Sequence, residues 1–429
     1  MNLFKRINKG TFKKFIVFLI IFSIGAAFGY AYFTKTQRLS SSIREEKNTQ
    51  YVGLSPNKAF ISEIYDKIKE NYWENISDTQ LLDLFKSGIE KYGNREVAAL
   101  KTKQDLLKVS QGLSKDKVVQ VTSAVLASLQ PAGRSGLFTQ KQEVALKNTV
   151  ENIDPSKDLY EDLGLSKGAS EEEVSQAFQE QSQELKKQAS EEAQQKLKQI
   201  TYAKEVLTEE DTKGRYDSAG IEPTVFTKLI GQTLYLQFKK FSPTSLEEFQ
   251  KAFEDHKDST ASSLIFDLRG NIGGAIDATA YFLGFFLGKN QYAFDFYKKG
   301  EYLPFKTPTD KLSSIAKYRQ VVILVDNATQ SSAEMMAGSL KKYRVGVVVG
   351  VPTKGWGTVE RVFTLENQIS EEEKYSIFLV HSITLRDDNQ PIEGRGVDPD
   401  INVNDANWQQ QLFSYFRNTQ LITTVEGLL

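Results

Sequence analysis

Apolar positions recur along this chain with two different spacings, and the change from one to the other divides it. Between residues 56 and 128 they fall at helical intervals. Phe60, Ile61, Ile64 and Ile68 stand at i, i+1, i+4 and i+8, and residues 76–89 (ISDTQLLDLFKSGI) repeat the stripe after a cap at Ser77 or Asp78. The spacing predicts further helices over about 98–109 and 114–128, the last stopped by Gln130-Pro131-Ala132-Gly133. From Thr233 onward short continuous apolar runs alternate with helical stretches. They predict strands at 233–238, 262–270, 320–326 and 345–350, and helices at about 245–257, 275–288 and 332–342. Strands that are apolar on both faces and separated by helices imply a sheet buried on both sides, hence an α/β unit. A hairpin-like pair at 292–304 and a β-rich stretch at 358–385 complete it.

Between these regions, residues 154–220 are rich in Glu, Gln, Lys and Ser and punctuate as three helices. Ser170 and Glu173 can form a capping box, and two long helices follow over about 171–188 and 190–208. At the other extreme, residues 15–33 (FIVFLIIFSIGAAFGYAYF) carry no charge and follow Lys5, Arg6, Lys9, Lys13 and Lys14. Nineteen such residues span about 28 Å as a helix, close to the ~30 Å hydrocarbon core. The expectation is an uncleaved transmembrane anchor in the cell membrane, a single pass with the N-terminus cytoplasmic and the bulk of the chain extracytoplasmic. The resulting division is a basic stub and anchor at 1–34, a linker at 35–53, a helical domain at 54–153, a three-helix domain at 154–220 and an α/β domain at 221–429.

Composition narrows the chemistry. With 54 Lys plus Arg against 55 Asp plus Glu, the formal charge of −1 offers no basic field for nucleic acid, which is not an expected partner. No cysteine and only two histidines, His256 and His381, exclude thiolate chemistry and disfavour a histidine-built metal site, so neither metal nor cofactor is expected. Two strand-to-helix turns remain. Asp267-Leu268-Arg269-Gly270-Asn271-Ile272-Gly273-Gly274 sets backbone amides where they can hold developing negative charge; on the residues alone a phosphate loop or a plain tight connection stays open. Asn327 to Glu334 (NATQSSAE) places serines at a helix start, as a cap or as an exposed nucleophile.

Residues 158–220, DLYEDLGLSKGASEEEVSQAF at the front and ITYAKEVLTEEDTKGRYDSAG at the back, resemble a J domain of the DnaJ type. The His-Pro-Asp loop of that family falls on Lys186, Lys187 and Gln188, and Glu180 and Glu184 stand where basic residues belong. The segment therefore reads as a J-like spacer or a module that docks a protein partner, without co-chaperone activity.

In order and at matching intervals, SLIFDLRGNIGGAIDATAYFLGFFL, VVILVDNATQSSAEMMAGSL, VVVGVPTKGWGTVERVFTL and PIEGRGVDPDINV resemble the C-terminal processing, or tail-specific, serine peptidases over roughly 228–405. The resemblance extends more weakly to 57–150, and the J-like segment stands where members usually carry a PDZ domain. It implies an α/β peptidase core of the ClpP/crotonase-like type, endopeptidase activity on protein or peptide substrates, and a Ser-Lys dyad. A homo-oligomer is left open. Aligning Glu334 with the family's S-A-S-A-S-E glutamate implies Ser331 as nucleophile and the amides of Gly273 or Gly274 and of Ser332 as the oxyanion site. The same alignment puts Trp356 at the lysine position and Glu360 at the supporting glutamine position.

An indole N–H cannot accept a proton. Lys354, two residues earlier on an extended segment, is the candidate displaced base, and His381 on the strand YSIFLVHSI is the other. Two classes of function remain: an anchored serine endopeptidase, or a pseudopeptidase that binds proteins through the same groove.

Overall fold

The computed structural model describes residues 51–429 except Val52 and Asp387. The helical region comprises α1 (Pro56–Asn71), α2 (Asp78–Gly93), α3 (Lys103–Val109) and α4 (Lys115–Ser128). Ser77 caps α2 through a reciprocal capping box with Gln80, as the spacing predicts. The helix expected from residue 98 instead begins at Lys103, because Thr102 and Asp105 form a capping box of their own. A short strand, β1 (Gly136–Thr139), and α5 (Gln140–Glu151) follow, and neither has a pattern that distinguishes it in the sequence.

The J-like region holds four helices where three were expected: α6 (Leu159–Asp162), α7 (Glu171–Leu185), α8 (Glu191–Leu207) and α9 (Glu210–Ala219). The last buries only Tyr216, so no apolar period marks it. Its small core is built on Leu159, Tyr160, Val174, Ile200, Val206 and Leu207.

The α/β region then runs β2 (Val225–Ile230), β3 (Thr233–Phe238), α10 (Ser245–Asp255), β4 (Ser263–Asp267), α11 (Thr279–Leu287), the hairpin β5 (Tyr292–Lys298) and β6 (Glu301–Lys306), β7 (Gln320–Val325), α12 (Ser332–Lys342), β8 (Val347–Gly350), β9 (Thr358–Thr364), β10 (Tyr375–Thr384), β11 (Ile401–Asn402), α13 (Trp408–Phe416) and α14 (Thr419–Leu428). One sheet has the order β11-β8-β7-β4-β3-β2, parallel except for the β2–β3 pair. Its apolar runs split by strand alternation. Val321, Ile323 and Val325 face one core with Leu264 and Phe266, while Val322, Leu324 and Ile265 face α13 and α14. The other sheet is antiparallel, β1-β10-β5-β6 with β9 also on β10, and its inner residues Ile377, Leu379 and Val380 pack on α1, α2 and α4.

The J-like region is fastened to the α/β region by ions and rings. Arg215 pairs with Glu248 at 2.9 Å and Lys251 with Glu209 at 2.6 Å. The Lys239 ammonium lies over the rings of Tyr202 and Phe226 at 4.4 and 4.2 Å.

Among the described residues no helix is long and apolar enough to cross a membrane. The most apolar, α11, has nine residues and reaches about 13 Å, less than half a hydrocarbon core. The expected transmembrane helix is corrected accordingly, and with it the membrane as a partner and the single-pass, extracytoplasmic placement. The segment on which that expectation rested, residues 15–33, lies outside the described residues.

Candidate active site

The turns after β4 and β7 are laced together. The Asp326 carboxylate accepts the N–H groups of Gly270, Ala328 and Thr329 at 2.8–3.0 Å, the Thr329 hydroxyl donates to Leu268 O at 2.9 Å, and Gln330 N–H donates to Asn271 O at 2.9 Å. Fully buried Asn271 completes the turn: its amide donates to Phe238 O at 2.7 Å and its oxygen accepts Gly273 N–H at 2.8 Å.

Two glycines bring this turn against Ser331. Gly273 has φ +85°, and a Cβ there would lie 2.7 Å from the Ser331 Cβ. Gly274 has φ +134°, and its Cβ would meet Phe241 O at 2.1 Å. Phe241 N–H donates to Gly273 O and Phe241 O accepts Ala275 N–H, which turns the intervening Gly274 amide the other way. Among the described residues the N–H groups of Gly274 and Ser332 have no acceptor, whereas that of Gly273 is held by Asn271. Of the amides named from the sequence, Gly274 and Ser332 are therefore the two available to an incoming oxygen.

Half-buried Ser331 has φ +57° and ψ −125°, a conformation that costs a non-glycine residue about 1–3 kcal/mol and persists only where its surroundings impose it. Glu334, one turn along α12, imposes it. Its fully buried carboxylate accepts Ser331 N–H at 2.9 Å and Trp356 N–H at 2.8 Å on one oxygen, and the Thr353 hydroxyl at 2.5 Å and Gly355 N–H at 2.7 Å on the other. Burial raises the Glu334 carboxyl above its ordinary range, and the four donors oppose that.

Trp356 is fixed from three sides. Besides the bond from its backbone, its indole N–H donates to Glu360 at 3.1 Å, and the Arg134 guanidinium lies 3.4 Å from its ring centroid. Arg134 is paired with Glu393 at 2.9 Å, and Glu393 also accepts Gly357 N–H at 2.8 Å. The Thr358 hydroxyl donates to Glu360 as well. Burial pushes the Glu360 carboxyl up to about 7, although the bonds from Thr358 and Trp356 pull it down.

Residues 232–403 match the family model described as Peptidase family S41, and residues 158–217 match that of the DnaJ domain. Over residues 232–403 the chain belongs to peptidase family S41. It carries a DnaJ-type domain ahead of the peptidase region. A probable CtpA-like serine protease of Staphylococcus aureus (strain bovine RF122 / ET3-1) is 24% identical over 362 residues, covering 81% of this chain and 65% of that protein. A protein of the same description from Staphylococcus epidermidis is 27% identical over 201 residues, 47% of this chain and 39% of that one. This S41 member thus spans less than two thirds of the length of these relatives. Among solved structures, a photosystem II D1 C-terminal processing protease is 12% identical with a TM-score of 0.49, covering 82% of this chain and 94% of that one. A lipoprotein from Streptococcus agalactiae is 13% identical with a TM-score of 0.47, covering 86% and 98%.

The two remaining base candidates of this S41 member sit differently. Lys354 is exposed, but its backbone is part of the site: its N–H donates to Thr329 O at 2.9 Å, and its neighbours Thr353, Gly355 and Trp356 all hang on Glu334. The His381 ring is engaged elsewhere, with Nε2 2.6 Å from Lys298 Nζ and Nδ1 2.8 Å from Ser382 Oγ. Burial first, and the Lys298 charge second, hold its pKa at about 4.

Arg134 and Glu393 escaped the sequence reading. Glu393 lies inside the block PIEGRGVDPDINV and Arg134 inside ASLQPAGRSG, within the weaker resemblance over 57–150, so the family resemblance marked both neighbourhoods without giving either residue a role.

Proposed function

We propose that this chain is a serine peptidase acting on protein substrates, with Ser331 as its nucleophile. The observation that carries this reading is the strained Ser331 backbone, maintained by a buried carboxylate beside two unoccupied amides. A residue serving only as a helix cap has no need of positive φ. In the reaction Ser331 Oγ attacks the scissile carbonyl carbon while its proton passes to a neutral amine. The carbonyl oxygen, now an anion, is held by the N–H groups of Gly274 and Ser332. Collapse expels the amine product, which takes the proton, and water then hydrolyses the acyl-enzyme by the same route.

The amine is assigned to Lys354, whose main chain is fixed to the nucleophile's turn. A lysine acts as a base when desolvated, so exposed Lys354 relies on the bound substrate to cover it. The test is mass spectrometry of an unstructured protein substrate incubated with residues 51–429, beside Ser331→Ala and Lys354→Ala. Cleavage lost in both supports the assignment; cleavage lost only with Ser331→Ala moves the base elsewhere.

A second reading, a pseudopeptidase that binds proteins without cutting them, is favoured by Trp356. It occupies the family's lysine position and is clamped between Arg134 and Glu360. Absence of Ser331-dependent cleavage by folded protein selects this reading.

A further inference from the structure

Away from Ser331, the half-buried side chains of Lys298 on β5 and His381 on β10 meet at 2.6 Å. An ammonium has only protons to offer, so His381 Nε2 accepts, and Nδ1 carries the ring proton toward Ser382 Oγ. The ring is therefore neutral. Lys299, in the turn that follows β5, gives its ammonium to the carbonyls of Lys69 and Glu70, each at 2.9 Å. Arg361 on β9 has an exposed Asp277 carboxylate at 3.9 Å, beyond the length of a charge-assisted hydrogen bond. Among the described residues its guanidinium makes no hydrogen bond.

The cluster thus has too much positive charge for its surroundings. Burial, then the charges of Lys298, Arg361 and Lys299, hold His381 at about 4, and burial with Lys299 and Arg361 lowers Lys298 against the opposing carboxylate of Glu70. Strands β5, β9 and β10 and the turn after β5 bring three cations around a neutral ring, faced by the loosely held carboxylate of Asp277 and by that of Glu70. Asp277 stands three residues beyond Gly274, which ties this cluster to the turn beside Ser331.

We propose that Lys298, Arg361 and the His381 ring form a binding site for a carboxylate presented by a peptide. The remaining donors of Lys298 and the guanidinium fork of Arg361 supply the hydrogen bonds, and the anion relieves the repulsion among the cations. The peptide nature of the ligand rests on the peptidase reading; the anion site itself does not.

The experiment uses Ser331→Ala protein, in which turnover plays no part, with 13C-labelled histidine. His256→Gln assigns the two resonances. His381 is titrated by NMR in the presence of an acetylated pentaalanine with a free C-terminal carboxylate, the same peptide amidated, and an amidated peptide with one central Glu. A carboxylate probe is expected to raise the His381 midpoint by about one pH unit or more and to leave His256 in place. Arg361→Gln, a substitution at an exposed residue, should weaken the response about tenfold. Response to the first peptide alone assigns the site to chain ends, and response to the third alone assigns it to acidic side chains. No shift with either carboxylate at up to about 10 mM, an equal shift with amidated pentaalanine, or an unchanged affinity in both Arg361→Gln and Lys298→Met overturns the proposal.

Discussion

Ser331 and Trp356 share one oxygen of Glu334, their backbone N–H groups reaching it at 2.9 and 2.8 Å. The strained turn at Ser331 and the loop bearing Trp356 are therefore one mechanical unit. Glu334→Gln places an NH2 group where two N–H donors converge, and stability should fall by about 2–4 kcal/mol. Urea denaturation measures this, and a loss within about 0.5 kcal/mol contradicts the role given to Glu334.

Glu360 carries a pH dependence of definite sign. Its folded pKa of about 7 stands above the ordinary 4.5, so the folded state binds the proton more tightly than the unfolded chain. Its contribution is present in full below about 4.5 and lost as pH rises through 7. Glu360→Gln should gain on the parent by up to about 3 kcal/mol between pH 5 and pH 8. Denaturation midpoints of both proteins at the two pH values decide it.

Gly274 has no room for a side chain. Gly274→Ala drives a Cβ to within 2.1 Å of Phe241 O and strains φ, so it should cost upwards of about 2 kcal/mol and abolish cleavage in the fraction that still folds. Wild-type thermal stability in this variant shows that the turn is not held as described.

On the proposed reading, Trp356→Lys places an amine where the family resemblance implies the base, beneath Arg134, whose charge favours the neutral form. Ser331-dependent cleavage should rise by about 100-fold, and Lys354 should become dispensable in the double variant Trp356→Lys, Lys354→Ala. A double variant no faster than Lys354→Ala alone argues that the loop cannot use a base at 356.

Local patterns encode local conformation, and that is where the sequence was most informative. Alternation of apolar runs with helical stripes announced the buried sheet, the residue order of four blocks announced the peptidase family, and capping residues marked α2 and α7. Of the elements without a pattern, β1 stayed hidden because its partner β10 lies far along the chain, and β2 and α9 because they bury too little to carry an apolar period. The N-terminal apolar run supported an anchor that no described helix provides.

Tertiary structure alone decided which side chains meet. Arg134 reaches Glu393 across 259 residues, and Lys298 reaches His381 across 83, through contacts between distant segments that no periodicity records. The positive φ of Ser331 depends likewise on a buried carboxylate answering to four donors, three of them about twenty residues further along. Sequence determined the family, the strand–helix order and the serine at the turn. The strain at that serine, the clamp on Trp356 and the surplus of charge around His381 arise from packing between distant segments, because desolvation and side-chain geometry exist only once those segments are in contact.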